Sequence, residues 1–370
     1  MGSLPKAKRD RRVDVLRGLA LVMIFVDHVP HNVASLFTLH DFGFCDAAEV
    51  FVLLAGLSST MAYGRVIDRD GIKAGLRRVG IRCLRIYVYQ AGLLIFTLVL
   101  VSAWARQFGT PPNLVGPLLA AGIAGLARGL MLQALPGFLD ILPLYIVLMA
   151  FFPLLYIVLR SRPVLALTGS AAVWLIANLN HDVNLPNWLD DNGWYFNPFT
   201  WQFLFAIGAG LAVLMRRNGG SLPHARWLVA LAWGYLAFAF VQSAPWADWG
   251  LPDLHPLSLA PPDKSHLAPL RLLDILALSY VVFSSERAQR LATSGFVRAV
   301  EACGKHSLEI FALGCALALV GRLAFRTWGT DWRMQIALNL VGLSTMCLTA
   351  LRLEYNRARH AAPPLPAPAA

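Results

Sequence analysis

Two ionisable side chains stand where a membrane-spanning helix should be apolar. The first hydrophobic segment, R-R-V-D-V-L-R-G-L-A-L-V-M-I-F-V-D-H-V-P-H-N from Arg11 to Asn32, carries Asp27 and His28 after an apolar run. An ionisable group at the centre of such a helix costs about 2.5–3.5 kcal/mol, so the pair marks a candidate site. With a span over Val15–Leu36, His28 lies about 12 residues beyond Leu16. At ~1.5 Å per residue that is ~18 Å, past the midplane of a ~30 Å core. Asp27 and His31, four apart, would share a helical face. A carboxylate beside an imidazole orients it and raises its basicity, as a general base acting on a hydroxyl requires. The alternative is a structural polar pair locking this helix to a neighbour. Asp27, His28, His31 and His40 do not follow a known metal-ligand spacing, so no metal is expected.

A second group is Arg78, Arg82 and Arg85 in R-R-V-G-I-R-C-L-R. Spacings of four and three put them on one helical stripe. Guanidinium groups so placed can chelate phosphate oxygens two at a time. Ordinary topology charge at a membrane surface would also put basic residues here.

Other polar residues interrupt apolar surroundings: Glu49, Asp140, Gln202, Lys264, His266, Arg271, Asp274 and His306. Glu49 and His306 are expected to face an interior cavity. Asp140 and Asp274 suit helix-start capping. Trp194, Tyr195, Trp246 and Trp249 could stack on sugar rings or form an interfacial aromatic belt.

These residues need helices to hold them, and the composition supplies helices of one kind. The 370 residues are 57% hydrophobic and 14% charged, with a mean hydropathy of +0.57. That is an all-α polytopic integral membrane protein rather than soluble domains. About ten spans are expected: Val15–Leu36, Ala47–Val66, Cys83–Trp104, Ile141–Leu159, Val164–Leu179, Phe199–Met215, Trp227–Val241, Leu267–Phe283, Leu308–Val320 with its flanks, and Met334–Leu351. Leu114–Leu135, glycine-rich and weakly apolar, reads as re-entrant or interfacial. Residues 1–355 form one transmembrane domain, and 356–370 a disordered Pro/Ala-rich tail. The basic N-terminus followed by an apolar core resembles a signal peptide, but no A-x-A site follows, so it reads as a retained first helix.

The net charge of +11 does not point to nucleic acid, because of where the charge falls. Of the 32 lysines and arginines, all but Arg106, Arg128, Lys264, Arg271, Arg322, Arg326 and Arg333 lie in segments that an even number of spans puts on the same side as both termini. The positive-inside rule makes that side cytoplasmic. The five cysteines show no paired spacing and read as small apolar residues.

Five motifs stand out in combination: R-x-D-x-x-R-G from Arg12 to Gly18 ending in Asp27-His28, A-E-V-F-V-L-L-A-G from Ala48 to Gly56, L-D-I-L-P-L-Y at Leu139–Tyr145, N-P-F-T-W-Q-F at Asn197–Phe203 and G-K-H-S-L-E-I-F at Gly304–Phe311. Together they resemble the OpgC family of membrane acyltransferases. The resemblance spans most of the chain. It implies succinylation of periplasmic glucans, within the acyltransferase-3 group, in the bacterial inner membrane. By resemblance the first-helix histidine is His28 and the R-x-x-R pair is Arg82 with Arg85. Ala55-Gly56 stands where many relatives have Ser-Gly.

The two readings combine into one expectation. Arg78, Arg82 and Arg85 hold the phosphates of cytoplasmic acyl-CoA, succinyl-CoA by resemblance, whose pantetheine arm threads up toward His28. Asp27 and Glu49 complete the reacting group, and His306, Lys264, His266, Trp201 and Gln202 contact a carbohydrate acceptor. Direct transfer and a transient acyl-histidine are both chemically open. The rival function is proton-coupled transport, since intramembrane Asp, Glu and His also form proton relays. The two halves of the chain show no inverted repeat to support it.

Overall fold

The computed structural model describes residues 10–361, and among these it contains helices and no strand. Ten principal helices follow in order: α1 (Arg11–Asp27), α2 (Ala47–Asp70), α3 (Ile72–Phe108), α4 (Ile141–Ser161), α5 (Pro163–Leu179), α6 (Pro198–Arg217), α7 (Arg226–Ser243), α8 (Pro269–Ser284), α9 (Ser307–Trp328) and α10 (Trp332–Ala361). Six of them, α2, α3, α4, α6, α9 and α10, are long and apolar enough to cross a membrane, by length and composition. The other four overlap the remaining expected spans but are only 16 to 18 residues long. At ~1.5 Å per residue they reach about 24–27 Å, slightly short of a ~30 Å hydrocarbon core. The multiple apolar helices make this a membrane protein.

Three expected boundaries are corrected. The first span does not run to Leu36: α1 stops at Asp27, with His28 as its C-cap. Pro30 has no N–H to give to residue 26 and crowds the residue before it out of helical geometry, so the chain leaves the helix there. A short 3-10 turn, Val33–Phe37, follows. The third span extends from Ile72 to Phe108 as one 37-residue helix. The expected tail begins too early, because α10 continues through residues 356–361. Residues 362–370 lie outside the described residues, as do Lys6, Lys8 and Arg9. Between Gly116 and Leu130 lie two short helices, Gly116–Ala120 and Gly122–Leu130, of five and nine residues.

Glycines fix the closest crossings. A Cβ on Gly56 would overlap the carbonyl oxygen of Phe205, and one on Gly208 would overlap that of Leu53. The α2 and α6 backbones therefore touch reciprocally, with no side chain between them. Gly18 and Gly304 do the same for α1 and the short helix Arg298–Lys305, against the carbonyls of Val300 and Asp14. In lipid, where apolar burial drives association weakly, such small-residue contacts let dispersion and Cα–H···O contacts accumulate. That role accounts for Gly56 within the A-G pair.

Helix α2 is not uniform. Thr60–Gly64 winds as a single π turn, and Arg216 Nη2 donates to the Thr60 carbonyl at 2.8 Å, satisfying a group near the irregularity. Met61, Ala62 and Tyr63 from this turn line one of the cavities described next.

Candidate active site

Two cavities open at opposite ends of α1, α2 and α9. The first, about 650 Å³, is lined by Asp14 and Arg17 of α1, Phe51 to Arg65 of α2, Arg82 and Arg85 of α3, Tyr145 of α4 and Lys305 to Glu309 around the start of α9. The second, about 500 Å³, is lined by Ile24 to His31 at the far end of α1, Asp46 to Ala48 before and in α2, Asp140 and Ile141, Tyr195, Lys264 and Arg322.

The first cavity is cationic. Arg17, Arg65, Arg82, Arg85, Lys305 and Arg357 line it against three carboxylates, those of Asp10, Asp14 and Glu309. The helix of α3 carries Arg82 and Arg85 three residues apart, so both reach the same space. Arg82 lies over the Tyr145 ring at 5.8 Å, an arrangement that holds the guanidinium facing inward. Arg17 is steadied by the Leu54 carbonyl at 3.3 Å and the Ser58 hydroxyl. Arg78, one turn earlier on α3, is exposed and does not line the cavity, so the stripe of three contributes two residues here. His306 belongs to this cavity too, with Nε2 3.1 Å from Glu354, whereas the sequence analysis expected it to meet the acceptor.

The second cavity contains His28. Its Nδ1 lies 2.6 Å from the carbonyl oxygen of Ile24. A carbonyl can only accept, so Nδ1 carries the hydrogen and Nε2 is left with the lone pair a general base needs. The helix end thus fixes the tautomer: the last turn of α1 supplies an orienting carbonyl four residues back. Asp27 does not perform that task. Its carboxylate accepts from Thr38 Oγ1 at 2.7 Å, and the same hydroxyl lies 2.8 Å from His40 Nδ1. Nor does His31 share a helical face with Asp27, since its backbone turns left-handed at φ 62°. Phe138, which also lines the cavity, is left-handed as well, at φ 74°. Non-glycine residues held this way cost roughly 1–3 kcal/mol each and cluster at working sites.

Charge in this cavity is organised by Asp46. It caps α2 through the Ala48 N–H at 2.7 Å, pairs with Lys264 Nζ at 2.6 Å and with Arg271 Nη2 at 3.1 Å. Burial disfavours the Lys264 ammonium, but Asp46 and Glu49 outweigh it and hold its pKa up at about 12. Glu49 is fully buried behind Asp46, 2.6 Å from Arg271 Nε, and accepts from the Asp46 N–H at 3.0 Å. It closes the capping box of α2 and anchors α8 instead of lining the cavity. Asp274 lies inside α8 and accepts from the Cys45 N–H at 2.8 Å, so it tethers the loop before α2 and does not cap its own helix. Asp140 stands at the N-cap position of α4 without a side-chain capping bond and faces the cavity.

Three residues expected at the acceptor lie elsewhere. Trp201 is fully buried, and its indole N–H donates to the carbonyls of Lys264 and Ser265 at 3.2 and 3.1 Å, holding the segment that presents Lys264. Gln202 joins α6 to α5 through the Ser170 hydroxyl and carbonyl. His266 stacks on His181 and faces a separate outer-loop cavity. Of the expected acceptor set, Lys264 alone lines the His28 cavity.

Sequence reasoning passed over Arg322. It was counted only as a charge on the side away from the termini, yet its Nη2 donates to the His28 carbonyl at 3.2 Å and its guanidinium lies 5.5 Å from the Phe138 ring centroid. An arginine near the far end of an otherwise apolar helix was the signal available.

The cavities nearly meet. On α2, Ala48 lines one and Phe51 the other; on α4, Ile141 lines one and Tyr145 the other. Phe51 packs on Tyr145 and Phe311, with ring centroids 6.0 and 6.1 Å apart. Along α2 and α4 about one helical turn, ~5 Å, separates the residues that line the two cavities.

Against known proteins, the model of the family described as OpgC protein matches residues 9–358. The chain belongs to this family. The match takes in every residue of both cavities, and membership points to a glucan-modifying acyltransferase. No curated protein and no solved structure matches this OpgC-family chain.

Proposed function

We propose that the protein is a membrane O-acyltransferase that takes an acyl group, succinyl by family resemblance, from acyl-CoA in the cationic cavity to a hydroxyl of a periplasmic glucan in the His28 cavity. The observation that supports this is the approach of the two cavities along α2 and α4, one lined by Arg82 and Arg85 and the other by a histidine whose Nδ1 is held by the Ile24 carbonyl. A phosphate-rich donor suits the first, and a thin pantetheine arm is the shape that passes the Phe51 partition to reach the second. In the positive-inside orientation the cationic cavity and both termini are cytoplasmic, in a bacterial inner membrane. An introduced cysteine between residues 67 and 76 should then escape an impermeant thiol reagent in intact cells.

The chemistry follows from the far cavity. His28 Nε2 takes the proton from the acceptor hydroxyl as its oxygen attacks the thioester carbon. Arg322 and Lys264 line the same cavity and would stabilise the negative charge that forms on the carbonyl oxygen. Collapse breaks the C–S bond, and the proton on Nε2 passes to the departing thiolate. Attack by Nε2 itself, giving an acyl-imidazole, would use the same groups in two steps. The transport alternative is disfavoured by membership of a transferase family.

Purified wild-type and His28→Ala protein, both monodisperse in detergent, should be compared for acyl transfer from succinyl-CoA to glucan. Loss of the base predicts a fall of roughly 10²–10⁴-fold. Activity near wild type would remove His28 from the reaction.

A further inference from the structure

Away from both cavities of the reaction, His181, Asp263 and His266 gather in the loops that follow α5 and precede α8. Each offers a ligand atom, and the three atoms lie within 4.8 Å of one another. They share a cavity of about 620 Å³ with Asp182, Asp190 and Asp191, so its field favours a cation.

A second observation is independent of that proximity. His266 is 8% exposed, and its Nε2 is buried without a hydrogen-bond partner. The other ring nitrogen, Nδ1, is 2.6 Å from the Asp263 carboxylate. A neutral imidazole donating from Nδ1 to a carboxylate presents a lone pair at Nε2, and an unpaired buried acceptor costs about 1–3 kcal/mol. A carboxylate that orients a histidine toward a metal is a recurring outer-shell arrangement.

We infer that His181 and His266, the latter oriented by Asp263 through Nδ1, form a binding site for a borderline divalent cation of the zinc class. Two imidazole ligands select such a metal over magnesium or calcium, which prefer oxygen-only ligands. The rings of His181 and His266 lie nearly parallel, with centroids 4.0 Å apart and planes 11° apart. Parallel rings cannot both aim an in-plane lone pair at one ion. Exposed His181 therefore turns out of the stack on binding, while buried His266 stays fixed by Asp263. The ion would clamp together two loops already joined by Asn178 Nδ2 to the His266 carbonyl at 2.9 Å and by the Asn197 N–H to the Ser265 carbonyl at 3.2 Å. Lys264 sits between two of these residues, so the clamp would fix the rim of the His28 cavity.

The test uses the full chain in detergent, stripped with chelator and titrated calorimetrically with zinc chloride, alongside thermal unfolding with and without zinc. Wild type should bind one equivalent and gain thermal stability. His181→Ala, an exposed change, should weaken binding at least ten-fold while leaving unfolding without zinc unchanged. His266→Gln should weaken it further, and excess magnesium should not compete. Absence of zinc binding by wild type, or affinity undiminished in His181→Ala, would overturn the assignment. None of these readouts depends on acyl transfer.

Discussion

The rings of Phe51 and Tyr145 meet edge to face, centroids 6.0 Å apart, where the cationic cavity and the His28 cavity come closest. With Phe311 they form a partition between the cavities, which the donor's arm would pass in the proposed reaction. Enlarging this ring should obstruct passage without touching the phosphate end. Phe51→Trp is therefore expected to keep CoA affinity, measured by calorimetry, while acyl transfer falls at least ten-fold, since misplacing reactants by about 1 Å can cost 10²-fold. Unchanged transfer would place the donor's path elsewhere.

Arg82 and Arg85 allow geometry to be separated from charge. Lysine at both positions keeps the topology signal and loses two-point chelation. The double variant should insert normally and bind CoA roughly 10–100-fold more weakly, as the loss of one charge-assisted hydrogen bond of about 1.5–3 kcal/mol implies. Equal affinity would reduce the pair to topology markers. Arg78→Lys, altering an exposed side chain outside the cavity, should leave affinity as it is.

The reciprocal glycines predict a stability effect far from either cavity. A methyl on Gly208 meets the Leu53 backbone, which cannot move aside as a flexible side chain would. Gly208→Ala should force α2 and α6 apart at a cost of about 1–3 kcal/mol, read as a lower midpoint of thermal unfolding in detergent. Gly169→Ala, on α5 with nothing near its would-be Cβ, is the control and should not lower it. Equal midpoints for the two variants would refute the close crossing.

Asp27 and His28 are neighbours in sequence that part in space. The carboxylate bonds Thr38 in the loop beyond, and the imidazole bonds Ile24 behind it. Asp27→Asn, which keeps an acceptor for Thr38, should cost much less transfer activity than His28→Ala. A loss as deep as that of His28→Ala would restore the carboxylate to the reacting group.

The sequence by itself determined the kind of protein. Apolar runs of near-span length specify helices because, in lipid, backbone polar groups must be satisfied within each segment. The same runs carry isolated ionisable residues, whose cost in that medium singles them out, so Asp27 and His28 drew attention by position, whereas Arg82 and Arg85 stood out from their basic cluster only through the family resemblance. The end of the first helix was misread, since the expected span runs to Leu36 although Pro30 marks an earlier stop.

What each charged group faces was decided only by the tertiary structure. Nothing local tells that Glu49 turns to Arg271, more than two hundred residues away, or that Asp46 takes both Lys264 and Arg271. His306 and Lys264 look alike as polar intrusions, yet packing sends one to the cationic cavity and the other to the imidazole. Arg322 became a neighbour of His28 because α9 packs along α1, a contact across 294 positions of chain. Spacing along one helix fixes which residues share its face; which face meets which cavity depends on how the helices pack, and that is set by close crossings such as those at Gly18, Gly56, Gly208 and Gly304.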